Sequence, residues 1–155
     1  MINESLRSIY KDVYGEQFSS GNFSHRMKMQ NLIYLLQEAG ISIGDYNFHW
    51  YKRGPYSQQL QNDILVTNEN VDHNIRYSES AQHIIHILAD LLHHPVYYPP
   101  NHWVECLASL EYLKRYVCTH DASDDLVTRE LIKRKPYLNN IVANKSVLEV
   151  LRRKF

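Results

Sequence analysis

Asn22-Phe23-Ser24-His25-Arg26-Met27-Lys28-Met29-Gln30-Asn31-Leu32-Ile33-Tyr34-Leu35-Leu36-Gln37-Glu38-Ala39-Gly40 is the stretch on which the fold turns. Met27, Leu32, Ile33, Leu35, Leu36 and Ala39 recur at helical spacings but spread over a wide arc, as in a helix enclosed on most sides. Asn22 or Ser24 can cap its start by accepting a free first-turn N–H, and Gly40 offers a left-handed stop. Such a helix is central, and it needs neighbours to cover it.

The flanking segments supply them. Asn3 to Tyr14 sets Leu6, Ile9, Tyr10 and Val13 at spacings of three and four, with Gly15 at the end. Pro55 suits the first turn of a further helix, where a missing N–H costs nothing, and Gln58 to Val66 carries Leu60, Ile64 and Leu65 along one side. Residues 67–77 read as a loop, with a short strand considered at Asn74 to Tyr77. Ser78 can then cap a helix bearing Ile84, Ile85, Leu88, Leu91 and Leu92 up to Pro95. The prolines forbid helix across Val96 to Pro100. Asn101 is placed to cap a long helix in which Trp103, Cys106, Leu107, Leu110, Leu113 and Val117 repeat to about Thr119. After a polar link at Asp121 to Asp125, helices over roughly Asp124 to Lys133 and Asn139 to Arg153 flank Pro136.

One segment breaks the pattern. Tyr46, Phe48 and Trp50 alternate with Asn47, His49 and Tyr51, which is the period of an extended strand, and Lys52-Arg53-Gly54-Pro55 turns the chain. The expected fold is therefore mainly α, a compact multi-helix single domain over residues 1–155 with a small extended or β element around residues 46–51.

Composition agrees with a self-supporting core. Hydrophobic residues make up 44% of the 155 positions and Gly plus Pro only ten, which excludes a disordered chain and a loop-rich disulfide scaffold. Cys106 and Cys118 lie twelve residues apart in one helical stretch, about 18 Å at 1.5 Å per residue, too far to pair there. With no charged-then-apolar leader and no apolar run near the length of a membrane span, the expected location is the cytoplasm, without a membrane partner. Asn22-Phe23-Ser24 and Asn144-Lys145-Ser146 then match the glycosylation pattern by chance.

Net charge is zero, which argues against a protein built to coat nucleic acid, but the charge is unevenly spread. From Arg129 onward eight Lys or Arg face two acids, a balance of +6 that leaves −6 on the first 128 residues. Lys133, Arg134, Lys135 and the end from Arg152 to Phe155, with Tyr137 interleaved, could meet phosphates. Cations near helix C-termini are equally well explained by the helix dipole.

Three constellations bear on chemistry. Arg115-Tyr116-Val117-Cys118-Thr119-His120 resembles the active motif of HEPN ribonucleases, in which arginine holds phosphate charge and histidine moves a proton. That family usually places a polar residue after the arginine, where this chain has Tyr116. His86, Asp90, His93 and His94 fall at steps that set imidazoles and a carboxylate on one helix face, a spacing able to hold zinc, although Pro95 frays that end. His120-Asp121 lacks the further His and Asp partners a metal-dependent phosphohydrolase needs, and Asp124-Asp125 suits a helix N-terminus. No catalytic residue, metal ligand or cofactor is assigned from these patterns. A non-enzymatic role is the expectation, with an enzyme using Arg115 and His120 as the alternative.

Twelve tyrosines are many for this length, and amphipathic aromatics suit interfaces. Tyr46, Trp50, Tyr51, Tyr56, Tyr97 and Tyr98 are where a partner is sought. Residues Arg26 to Gln37, then Tyr46-Asn47-Phe48-His49-Trp50-Tyr51-Lys52-Arg53-Gly54-Pro55-Tyr56-Ser57, resemble the front half of YwgA-like proteins and the related Panacea antitoxin domains. There a helix reading Lys-Leu-Gln-Lys-Leu-Leu-Tyr precedes an aromatic strand ending in Tyr-Gly-Pro. Leu107 to Leu113 is similar to a later helix of that group. The chain departs from the pattern at Asn31, where lysine is frequent, and at Arg53, where an aromatic is frequent. The resemblance implies a mainly α fold and a role in neutralising a toxin or in phage defence through protein contact. On this reading Tyr46, Trp50, Lys52, Arg53 and Tyr56 bind the partner, with Lys52 and Arg53 meeting its acidic groups.

Overall fold

The computed structural model describes residues 2–41, 43–66, 77–95 and 97–154. Among them run α1 (Ile2–Tyr14), α2 (Phe23–Glu38), α3 (Gln58–Leu65), α4 (Glu79–His93), α5 (Pro100–Tyr112), a π-helical turn (Leu113–Val117), α6 (Asp124–Arg134) and α7 (Ile141–Lys154). The fold is mainly helical, as the apolar spacing requires. α2 packs on α5 and α1 on α4, while α5 also meets α7 and α6, and α3 touches both α1 and α2. One apolar cluster runs from Leu6 in α1 to Leu151 in α7.

α2 is the central element. Asn22 Oδ1 accepts from the His25 N–H at 3.2 Å, and residues Met29 through Leu36 are all buried, so no face of this half of the helix reaches water. Gly40, at φ +96°, turns the chain out of the helix in a conformation that side chains disfavour. Burying Leu32, Ile33, Leu35 and Leu36 contributes roughly 1.5–3 kcal/mol each before chain entropy is set against it.

Several boundaries differ from the expected ones. α3 starts at Gln58 under a Ser57 cap, whose Oγ accepts from the Leu60 N–H at 3.2 Å; Pro55 lies outside the helix, in the buried turn before it. α5 starts at Pro100 with Pro99 in the cap position and no side-chain cap bond, because proline has no side-chain acceptor; Asn101 lies inside the first turn, where its Oδ1 accepts from Ser24 Oγ at 2.9 Å. The single helix expected to Thr119 widens at Leu113 into a π turn closed by Cys118 N–H to Leu113 C=O at 2.7 Å. The strand considered at Asn74 to Tyr77 lies, apart from Tyr77, outside the described residues. Asn144 is fully buried, with Cys106 Sγ and the Tyr98 hydroxyl donating to its Oδ1, so the glycosylation pattern there is inaccessible.

The segment around residues 46–51 is extended but joins no sheet among the described residues. His49 and Tyr56 form an isolated antiparallel bridge through two 2.9 Å hydrogen bonds, which makes residues 46–57 a short ribbon folded back at Gly54. No helix among the described residues is long and apolar enough to cross a membrane.

Candidate functional site

Two glutamines of α2 hold the ribbon. Gln37 Oε1 accepts from the Tyr46 N–H at 2.8 Å while its Nε2 donates to the Tyr46 carbonyl at 2.7 Å; Gln30 does the same for Ser57, at 2.9 Å both ways. An extended residue points its N–H and C=O to the same side, so a primary amide can stand in for a neighbouring strand. The two amides are seven residues apart, about 10 Å along the helix. Between them Asn31 Nδ2 donates to the Arg53 and Met27 carbonyls, each at 3.1 Å. Gly54, at φ +109°, comes so close that a Cβ there would stand 2.1 Å from Asn31 Oδ1.

This clamping decides which ribbon residues are available. Tyr46 is only 3% exposed, with its hydroxyl on Asp63 at 2.7 Å, and is a corrected member of the expected partner surface. Trp50 is half-buried, packed against Tyr112 with Lys135 Nζ 4.7 Å from its ring centroid. The alternation is real, but Tyr46, Phe48 and Trp50 form the inward face, while Asn47, His49 and Tyr51 point outward. Lys52 and Arg53 are exposed, and Tyr56 is half-buried in a ring contact with Tyr51 at 5.0 Å.

The outward face opens onto a groove. A concavity of about 230 Å³ lies between Phe23, Arg26 and Met27 of α2 and Tyr51, Arg53 and Tyr56 of the ribbon. A second, of about 330 Å³, continues from Phe23, Met27 and Arg53 to Asn101, His102 and Tyr137. Phe23, Tyr51 and Tyr137 are 57%, 51% and 40% exposed, a degree of aromatic exposure that the core does not require. Phe23, Arg26, Met27, His102 and Tyr137 come from three separate segments, and their grouping has no signature within any one of them.

Behind the groove stands a buried ion pair. Glu105 and Lys135 are 0% and 3% exposed with Nζ 2.9 Å from Oε2. The Tyr137 hydroxyl also contacts Glu105, and Lys135 and Tyr137 both reach the Lys52 carbonyl, at 3.3 and 3.0 Å. Burial pushes the Lys135 ammonium below its ordinary pKa against the opposing pull of Glu105, and pushes the Tyr137 hydroxyl up. The cluster ties the end of α6 to α5 and to the ribbon turn.

The other candidates are arranged less favourably for chemistry. Arg115 Nε lies 3.1 Å from Glu111 and 3.3 Å from Glu38, so two carboxylates surround the guanidinium that a phosphate would need. Burial raises the Glu111 pKa, with Arg115 opposing. His120 lies on the exposed link beyond the π turn. His86, Asp90, His93 and His94 are all exposed, and no group of three or more His, Cys, Asp or Glu among the described residues stands close enough to hold a metal ion. The basic end is largely matched in space: Arg152 meets Asp124 at 2.6 Å, Lys145 meets Asp125, Arg134 meets Glu130 at 2.9 Å, Arg153 meets Glu149 and Lys135 meets Glu105.

No family model, curated protein or solved structure matches this chain.

Proposed function

We propose that this chain is a non-enzymatic protein-interaction domain, antitoxin-like or related to phage defence, that holds a protein partner on the outward face of the ribbon. The observation that carries the proposal is the exposed aromatic and arginine lining of a groove whose backbone is fixed by Gln30, Asn31 and Gln37. A rigid concave surface with Tyr and Arg anchors binds at little entropic cost. The partner-facing residues are Lys52, Arg53 and Tyr56 with Phe23 and Tyr51, while Tyr46 and Trp50 support them from within. The toxin as partner rests on the resemblance of residues 26–57 to YwgA-like and Panacea domains.

The test is affinity purification of the tagged chain from its native cell beside the Tyr51→Ala/Arg53→Glu/Tyr56→Ala variant. A protein that co-elutes with the wild type, is absent from the variant, and re-forms the complex from purified components supports the reading. If that protein is a toxin, co-expression of the wild type relieves its growth arrest and co-expression of the variant does not. A folded variant that captures the same proteins as the wild type overturns this surface.

A further inference from the structure

We infer that the groove takes an extended acidic peptide, an apolar side chain entering between Tyr51, Tyr56 and Met27 and an adjacent carboxylate entering the second concavity beside Arg53 and His102. The inference rests on the protein-interaction reading above and gives the partner its chemistry.

The first observation is charge. The chain has 17 basic and 17 acidic residues, yet among the described residues the two concavities are lined by Arg26, Arg53 and His102 and by no Asp or Glu. The Glu105 carboxylate behind Tyr137 is already paired with Lys135. An acidic segment therefore meets the Arg53 guanidinium, whose side-chain partner here is the Tyr137 hydroxyl rather than a carboxylate.

The second observation is backbone. α5 begins at this concavity under Pro99, which has no side-chain acceptor to offer, and Asn101 Oδ1, inside the first turn, accepts from Ser24 Oγ. Pro100 brings no N–H, which leaves the N–H groups of Asn101 and His102 at the open end of a helix whose dipole favours an anion. Helix start, Arg53 and His102 converge on one concavity, with Tyr137 against the His102 ring at 5.2 Å.

The third observation is shape. The two concavities share Phe23, Met27 and Arg53, so an apolar anchor in one and a carboxylate in the other belong to neighbouring residues of one extended chain. Nucleic acid fits less well: Arg26 donates to the Ser20 carbonyl at 2.9 Å and lies over Phe23, and most of the basic end is paired internally, so few cations are left for successive phosphates.

The test is selection of short random peptides displayed on phage against the immobilised full chain, followed by titration of the selected peptides in solution. Enriched peptides should carry Asp or Glu beside a Leu, Phe or Tyr, and Asn in place of the acid should weaken them on the order of tenfold. Arg53→Glu and His102→Ala should weaken the same peptides, and Arg153→Ala, on the far end of α7, should not. Circular dichroism confirms that each variant folds. Enriched peptides that are neutral or basic, or that bind Arg53→Glu as tightly as the wild type, overturn the carboxylate subsite and leave the interaction reading standing. Failure to enrich any peptide overturns the peptide inference, and co-purification with the wild type but not the groove variant then decides the interaction reading. Tight binding of a labelled single-stranded RNA that Arg53→Glu abolishes, with no acidic peptide enriched, assigns the concavity to phosphate and overturns the peptide.

Discussion

Replacing the α2 amides one at a time measures how firmly the ribbon is held. Gln30→Met keeps the length and apolar stem of the side chain but removes both hydrogen bonds to Ser57, a residue 1% exposed and unable to turn to water. Two neutral hydrogen bonds at a net ~1 kcal/mol each give about 2 kcal/mol, and the stranded N–H and C=O raise this toward 3 kcal/mol. For a chain of this size about 2 kcal/mol lowers Tm by roughly 4–8 °C. Gln37→Met should cost a similar amount through Tyr46, while Gln58→Met, on an exposed side chain bonded to Asn62, should stay within about 0.5 kcal/mol. Urea unfolding with unchanged m-values reads all three. Losses below about 0.5 kcal/mol at both Gln30 and Gln37 would show that the amides do not hold the ribbon, and the rigid groove would lose its physical basis.

Further perturbations test the parts around it. Gly54→Ala forces a side chain into φ +109° and onto a buried Asn31 pinned by two hydrogen bonds, so a loss of about 2 kcal/mol or more is expected in urea melts; Asn31→Ala in the same chain should recover part of it by removing the obstructing oxygen. Glu105→Gln leaves Lys135 buried without its counter-charge and should cost about 3–5 kcal/mol, whereas Glu105→Leu/Lys135→Met should be far less damaging, which thermal denaturation distinguishes. His25 Nδ1 accepts the Ser19 N–H at 3.0 Å and so must be unprotonated, and burial, with help from Lys28 and against Glu16, holds its pKa below the ordinary value. The unfolded chain therefore binds the proton first: the His25 contribution is complete above about pH 6.5 and declines as pH falls from there toward the lowered folded value. His25→Asn should flatten that part of the stability–pH profile relative to the wild type, and an identical slope in both would refute the assignment.

How much of this was legible in the amino acids depends on whether the signal was periodic or spatial. The helices announce themselves because Leu6, Ile9, Tyr10 and Val13, or Leu88 and Leu92, must share a face, and the caps at Asn22 and Ser78 follow from local hydrogen-bonding chemistry. The alternation at residues 46–51 was equally legible, but period alone does not say which of two faces points inward. A row of Tyr, Phe and Trp resembles an interface and is, in an otherwise helical protein, more readily absorbed by the core. The readable clue lay elsewhere. Gln30 and Gln37 sit two turns apart on a helix whose second half is largely enclosed, and amides held there need partners that a helix cannot offer itself.

Charge shows the same limit from the other side. The excess of +6 from Arg129 onward looks like a phosphate-binding end only while the chain is a line. Once folded, Asp124, Asp125 and Glu105, all earlier in sequence, take up Arg152, Lys145 and Lys135. The arginine that faces the groove is instead Arg53, in a segment with no unusual composition, because the α2 amides turn the ribbon so that its aromatic row faces inward and its arginine stays at the lip of the groove. The shape of the groove is thus a consequence of which backbone groups Gln30, Asn31 and Gln37 satisfy, and a change to those three residues would be felt there first.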